Sequence, residues 1–435
     1  MMDATTIGIV GFAAMLGLMF LGVPIGVAMG AVGFLGFAWV TGWNAAINML
    51  GLAPYSSVAN YVLTVVPLFV LMGHIANETG IGRELYATAQ TWLRHRRGGL
   101  AMATVAACAG FAAISGSSVA TAATMTTVAL PQMRKMGYDP RLATGSVAAG
   151  GTLGILIPPS VIFLIYGFLT EQSIGKLFLA GIVPGLLLTV LFILTIGLVT
   201  WRNPALAPLA QERAPLLDRA RALRDVWAVA ALFLLVIGGM YAGVFTATEA
   251  AAMGAFGTLI LALMRRRLTW AALVRSLTRT AETVAVITVI LIGAVVLGYF
   301  LAITQLPMQL AEMLASSGLS PTAIMLMIIA AYLVMGAFMD ELAMILLTVP
   351  ILFPVVQAIG YDPIWFGVII VIVCQAGMIA PPVGLNVFVI SGMVKDVPMA
   401  DIYRGILPFL AAMVLLLAML MLVPDIALYL PRTMK

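Results

Sequence analysis

Residues 98–133 run for 36 positions without one Asp, Glu, Lys, Arg or His, and runs of this kind recur along the whole chain. Between polar breaks the apolar segments fall at 5–21, 24–40, 57–78, 98–133, 141–170, 177–200, 226–244, 247–264, 283–303, 321–355, 363–392 and 405–424. A bilayer-spanning helix needs about 20 apolar residues. The pattern therefore predicts an all-α polytopic membrane protein. Only 9% of the 435 residues are charged, against about 25% in a typical soluble domain. That excludes a soluble enzyme, a disordered chain and a nucleic-acid binder. The net charge of +5 belongs to membrane loops rather than to a phosphate-binding face. Cys108 and Cys374 both lie in apolar runs, and with only His74 and His95 beside them they give no disulfide framework and no metal spacing. The run 5–21 follows Asp3 without a basic stretch, so it reads as a first span rather than a cleaved leader.

Segments 98–133 and 321–355 are too long for one crossing. Each is interrupted near its middle, by Ser115-Gly116-Ser117-Ser118 and by Asp340-Glu341. Segments 141–170 and 363–392 each carry a proline pair, Pro158-Pro159 and Pro381-Pro382. A shift of 223 residues superimposes these features. Pro131 falls on Pro354, Gly137-Tyr138-Asp139-Pro140 on Gly360-Tyr361-Asp362-Pro363, Gly154 on Gly377, and one proline pair on the other, eight identities in 29 positions. The shift is about half the chain, which predicts two homologous halves, 1–205 and 226–435, joined by a cytoplasmic linker at 206–225.

The positive-inside rule orients these halves. If 98–133 and 321–355 are re-entrant hairpins, 19 of the 22 Lys and Arg residues share the cytoplasmic face, leaving Lys176, Arg432 and Lys435 outside. Full crossings would put the basic loops 79–97 and 134–141 on opposite faces. Each half then has five crossings, an odd number, plus one hairpin. The second half therefore enters the membrane upside down, and both termini are periplasmic. Inverted repeats with broken helices are how secondary transporters build a midplane site. Irregular backbone at that depth is tolerated only where it is buried or lines a cavity.

The first tip, Ser115-Gly116-Ser117-Ser118, offers hydroxyls and freed carbonyls. The break from Gly151 to Ser160 offers more carbonyls, because proline removes a donor. Oxygen-rich surfaces of this kind suit Na⁺, a hard cation. The plain alternative is a proline kink beside small-residue packing, and recurrence in the second half argues against it. Ser117, Thr152, Ser160 and Asn386 are the side chains offered to a substrate. In the second half, Asp340 either ligates another cation or caps the helix that follows. Glu341 reads as a helix-start charge. Asn386 either meets a substrate carboxylate or bonds helices together. Glu249, after Thr246, reads as a helix cap, His74 as a packing group, and Arg94-His95-Arg96-Arg97 as a topology signal. Residues 43–52 and 306–315 alternate at helical spacing, as surface helices do. An intramembrane hydrolase using Ser117 would need a general base, and His74 and His95 are the only histidines.

The stretch from Gly110 to Ala122, the break Gly154-Ile155-Leu156-Ile157-Pro158-Pro159-Ser160 and the run from Gly377 to Asn386 resemble the large membrane subunit of tripartite ATP-independent periplasmic (TRAP) transporters. So do Phe245-Thr246-Ala247-Thr248-Glu249-Ala250 and Gly22-Val23-Pro24-Ile25-Gly26, and the likeness covers essentially the whole chain. The resemblance implies an elevator-type transporter in the bacterial inner membrane, not an enzyme, driven by a Na⁺ gradient and needing no other cofactor. It implies two partners, a small four-helix membrane subunit and a periplasmic substrate-binding protein. The substrate would be a small carboxylate such as a C4-dicarboxylate, sialic acid, another sugar acid or a keto acid. By the same likeness the first Na⁺ site takes Ser115, Ser117 or Ser118 with carbonyls around Gly151, Gly154, Ile157 and Pro159. The second takes Gly336, Met339 and Asp340 with carbonyls around Gly377, Ala380 and Pro382. The chain departs from the family at Glu341, where an apolar residue is frequent, and at Ala380, where Thr is common. A stand-alone Na⁺/anion symporter with similar hairpins is the alternative.

Overall fold

The computed structural model describes residues 3–208 and 212–434. Residues 209–211, inside the expected linker, and Lys435, one of the expected outside charges, lie outside the described residues. The described residues fold as helices and contain no strand. Seven helices are long and apolar enough to cross a membrane. An eighth follows if Pro140–Leu156 and Val161–Thr170, bent by 41°, count as one span. Shorter apolar helices include Ala4–Phe20, Ile25–Thr41 and Gly99–Ser115.

Segment 98–133 turns back on itself. Gly99–Ser115 ends at Gly116, whose φ of +60° is strained for any residue with a Cβ. Ser117 then opens Ser118–Val128, its hydroxyl accepting the Ala120 amide at 3.3 Å. The far ends of the segment meet. The Leu100 amide donates to the Tyr138 hydroxyl at 3.1 Å, and Thr104 Oγ1 lies 3.9 Å from Met133 Sδ. The second long segment folds the same way. Pro321–Gly336 and Glu341–Ala358 are arms on either side of residues 337–340, with the Tyr332 and Thr348 hydroxyls bonded across them. Neither segment is one continuous rod.

Two interrupted helices fill the core. Pro140–Leu156 and Pro363–Ile379 each begin with an aspartate cap and a proline, where a missing N–H costs nothing. Asp139 accepts the Arg141 amide at 2.8 Å, and Asp362 accepts those of Ile364 and Trp365 at 2.8 and 3.1 Å. Each ends at its proline pair, and both Pro-Pro peptide bonds are cis. Every residue of 142–156 and 364–379 is buried. These helices pack on each other and on the hairpins.

Around this core, Trp43–Val58 and Leu306–Ala315 are the expected surface helices. Glu249 forms the expected cap, a capping box in which its carboxylate accepts the Thr246 amide at 2.8 Å and its own amide donates to Thr246 Oγ1 at 3.3 Å. Much of what reads as polar loop is helical. Ile81–Leu93 lies within 79–97, Trp270–Thr304 starts within 265–282, and Leu216–Phe233 begins inside the expected linker. Charge density alone does not end these helices, and in Leu216–Phe233 it is Arg219 that is buried while Leu216, Leu217 and Leu223 are exposed.

Candidate functional site

The tips of the hairpins meet the breaks of the interrupted helices. A Cβ added at Gly116 would stand 2.8 Å from the Pro159 carbonyl oxygen, and one at Gly154 would stand 2.8 Å from the Ser117 carbonyl carbon. Only glycine permits so close an approach. In the other half, a Cβ at Gly377 would lie 2.6 Å from the Gly336 Cα, and the Gly384 amide reaches the Ala337 carbonyl at 3.4 Å. Pro158 and Pro159 cannot donate back to the carbonyls of Gly154 and Ile155, so these oxygens lack helical partners. The first tip and break thus bring carbonyl and hydroxyl oxygens together, a donor set that fits a small hard cation.

Each side chain expected there has a defined place. Ser115 Oγ lies 2.9 Å from Thr121 Oγ1, and Ser117 Oγ serves as the helix cap. Thr152 Oγ1 donates to the Ala149 carbonyl at 2.6 Å, and Ser160 Oγ caps the helix after the break, accepting the Phe163 amide at 3.4 Å. Asp340 realises the capping half of its two readings, its oxygens taking the amides of Leu342 at 3.1 Å and Ala343 at 3.4 Å. Met339, at the same tip, donates its amide to the Met335 carbonyl at 2.9 Å.

Ser118 points elsewhere than its neighbours. Asn386 Nδ2 donates to Ser118 Oγ at 2.7 Å, and Ser118 donates to Gln375 Oε1 at 3.3 Å. All three side chains are fully buried, so the first hairpin tip is tied to both pieces of the second interrupted helix. Asn386 thus bonds the second interrupted helix to the first hairpin tip. Gln375 was missed in the sequence, although it lies 223 residues after Thr152 and the internal shift could have found it.

A cavity of about 740 Å³ lies between the two tips. Ser115, Gly116 and Ser117 form one part of its wall and Glu341 and Leu342 another. Ser118, Thr152, Ser160 and Asn386 are not on its surface. The wall also carries His74, Asn77, Arg83, Arg279 and Thr283, which sequence reasoning did not connect with the site. His74 Nε2 sits 3.4 Å from Thr283 Oγ1, and Asn77 Oδ1 accepts from Thr124 at 2.9 Å. Glu78 takes Arg275 at 2.9 Å but lies 3.9 Å from Arg279, which leaves that guanidinium largely free. Arg83 has no ion pair among the described residues. The cavity wall therefore carries two guanidinium groups and a hydroxyl-bearing tip against one carboxyl, Glu341, a set suited to a small organic anion.

Residues 12–426 match the family described as tripartite ATP-independent periplasmic transporter, DctM component. The chain belongs to the DctM family. It is 36% identical to the C4-dicarboxylate TRAP transporter large permease protein DctM of Pseudomonas aeruginosa, over 89% of this chain and 90% of that one. It is 35% identical to the sialic acid TRAP transporter large permease protein SiaM of Vibrio cholerae, over 96% of both. Identity to the 2,3-diketo-L-gulonate TRAP transporter large permease protein YiaN of Escherichia coli is 33%, over 95% of this chain. In fold, the chain resembles the Alcanivorax borkumensis YdaH transporter, with a TM-score of 0.65 at 14% identity and coverage of 87% and 88%. DctM membership and these helices make the chain a multi-pass membrane protein, a large permease subunit of a TRAP transporter.

Proposed function

We propose that this DctM-family chain carries a small carboxylate across the bacterial inner membrane by coupling it to Na⁺. Three of its relatives are named for a C4-dicarboxylate, sialic acid and 2,3-diketo-L-gulonate, all carboxylates. The observation that carries the reading is that both hairpin tips and the first proline break border one cavity walled by Arg83 and Arg279, while the second tip meets its own break at Gly336 and Gly377. The arginines and Ser117 hold the anion. Na⁺ binds where tip meets break. The first site uses Ser115 and Ser117 with carbonyls around Gly151, Gly154, Ile157 and Pro159, and the second uses the Gly336, Met339 and Asp340 tip with carbonyls around Gly377, Ala380 and Pro382. Ser118 serves the link to Asn386 and Gln375 rather than the ion.

In this reading the halves 1–205 and 226–435 are inverted repeats with five crossings each, and the hairpins dip into the bilayer from opposite faces. Two features support it. The internal shift of 223 carries the cap Ser117 onto Asp340 and the cap Asp139 onto Asp362. The charge bias gives one basic face. Hairpins and interrupted helices move together as an elevator across a scaffold completed by the small membrane subunit. A periplasmic binding protein delivers the substrate, and both termini lie on its side.

The test is uptake into proteoliposomes holding the chain, its small subunit and its binding protein. Succinate, N-acetylneuraminate and 2,3-diketo-L-gulonate would be compared with and without an inward Na⁺ gradient. One acid should accumulate only with the gradient. Accumulation that ignores Na⁺ would overturn the coupling, and accumulation without the binding protein would favour a stand-alone symporter.

A further inference from the structure

A separate cavity of about 560 Å³ is built from three elements. Glu84 comes from Ile81–Leu93, Arg221, Arg224, Asp225 and Trp227 from Leu216–Phe233, and Arg265 and Arg267 from the turn after Ala247–Met264. The walls are fixed to one another. Thr88 Oγ1 donates to the Ala222 carbonyl at 3.0 Å, Trp92 Nε1 donates to the Arg219 carbonyl at 3.2 Å, and the Arg219 guanidinium stands 5.5 Å over the Trp92 ring. Arg265 pairs with Glu84 and donates to the Asp225 carbonyl at 2.9 Å, while Arg267 takes the other Glu84 oxygen at 2.6 Å.

Glu84 is thus shared by two guanidinium groups, and four arginines face two carboxylates, leaving a local charge of +2. The unused donors are on one side. Arg224 has no hydrogen bond or ion pair among the described residues, and Arg221 has only Asp218 at 3.9 Å. The cavity also sits where the helix changes character. Residues 216–225 carry five charges, and 226–233 carry none. Trp227 is 57% exposed at that boundary, and Trp270, just beyond the arginine turn, is 78% exposed. Tryptophan at such a boundary marks the level of lipid headgroups.

We propose that this cavity binds the phosphodiester of an anionic phospholipid. Arg221 and Arg224 hold the phosphate, for which the guanidinium fork is matched, and the acyl chains lie along Trp227 and the exposed Leu223 and Leu234. Basic pockets between membrane helices take lipid headgroups in this way. The exposed apolar rim favours a lipid over a free anion. The site pins three peripheral helices beside the transport cavity, and it goes beyond the transport reading without depending on it.

The test uses the purified full chain in detergent, titrated with dioleoylphosphatidylglycerol, dioleoylphosphatidylcholine or inorganic phosphate. Retained lipid is counted by native mass spectrometry, and the unfolding midpoint is read by scanning fluorimetry. Phosphatidylglycerol should be retained and raise the midpoint, and phosphatidylcholine should do neither. The double variant Arg221→Gln/Arg224→Gln should lose roughly thirtyfold in retention and Arg224→Gln alone roughly fivefold, as expected for a basic residue near a headgroup. The single variant keeps the test valid if the double one folds poorly. Lys395→Gln, which removes an exposed cation elsewhere, should change nothing. Equal retention of the two lipids, or unchanged retention in the double variant, overturns the proposal. Displacement of the lipid by millimolar inorganic phosphate assigns the site to a free anion and also overturns it.

Discussion

Replacing Gly154 by Ala strikes the contact between the first hairpin tip and the proline break. The new Cβ would stand 2.8 Å from the Ser117 carbonyl carbon and 2.8 Å from Thr121 Oγ1, and closer still to the Ser117 carbonyl oxygen. Carbon contacts are comfortable at about 3.5–4.0 Å, so tip and helix must part by roughly 1 Å. The neighbours cannot simply swing away. The Ser117 carbonyl accepts both the Thr121 hydroxyl at 2.7 Å and the Thr121 amide at 3.2 Å. Overpacking of this kind costs about 1–3 kcal/mol. Removing a helical glycine returns up to about 1 kcal/mol, so the net loss of stability is about 0–3 kcal/mol. The loss of geometry is larger in effect, because a misplacement of about 1 Å can cost a hundredfold in rate. The expected result in proteoliposome uptake is at least a tenfold rise in the Na⁺ concentration for half-maximal transport, with a small change in unfolding midpoint. Gly116→Ala should do the same from the other side, since its Cβ would meet the Pro159 carbonyl oxygen at 2.8 Å. Gly17→Ala is the control, on an exposed helix position with nothing within 4 Å. If Gly154→Ala shows wild-type Na⁺ activation, no ion site lies between tip and break, and the reasoning fails.

Ser118→Ala and Asn386→Leu each remove one side of a buried 2.7 Å bond, so a double-mutant cycle on unfolding should give a coupling of about 1 kcal/mol. A coupling near zero would mean that the link between the halves contributes nothing. Arg279→Gln should raise the KM for the transported acid roughly tenfold and leave half-saturation by Na⁺ unchanged, and a parallel shift in both would place Arg279 outside anion recognition. Thr246→Ala removes the capping box and should lower stability by about 1 kcal/mol while uptake kinetics stay as they were, measured on the same preparation.

The backbone of the core was legible because its signals are chemical and local. Proline pairs must break a helix wherever they fall. Asp139-Pro140 and Asp362-Pro363 must start one, and Gly116 must permit a reversal that a Cβ resists. The polar wall of the cavity was not legible. Arg83 and Arg279 stand in segments whose charge reads as a topology signal, and nothing local distinguishes an arginine of that kind from one that lines a cavity. That difference arises from tertiary geometry, since Arg275 takes Glu78 at 2.9 Å and leaves Arg279 at 3.9 Å from it. For the same reason Ile81–Leu93 and residues 216–225 of Leu216–Phe233 read as loops. The two helices pack on each other, although they are distant in sequence.

The internal shift of 223 separates what folding requires from what each site requires. Positions that control the backbone keep their role under the shift. The cap Ser117 maps to the cap Asp340, the cap Asp139 to Asp362, and the helix ends Ile157 and Ala380 correspond. Positions that project chemistry do not. Ser118, a neutral hydroxyl bonded to Gln375 and Asn386, maps to Glu341, a buried carboxyl with one unpartnered oxygen beside the cavity. Thr152, whose hydroxyl returns to its own helix, maps to Gln375, whose amide crosses to the other hairpin. Corresponding positions of this kind keep the same backbone at both tips and both breaks while letting their side chains diverge. The two ends of the cavity can therefore bind different things, and a substitution at Ser118 should not mimic one at Glu341.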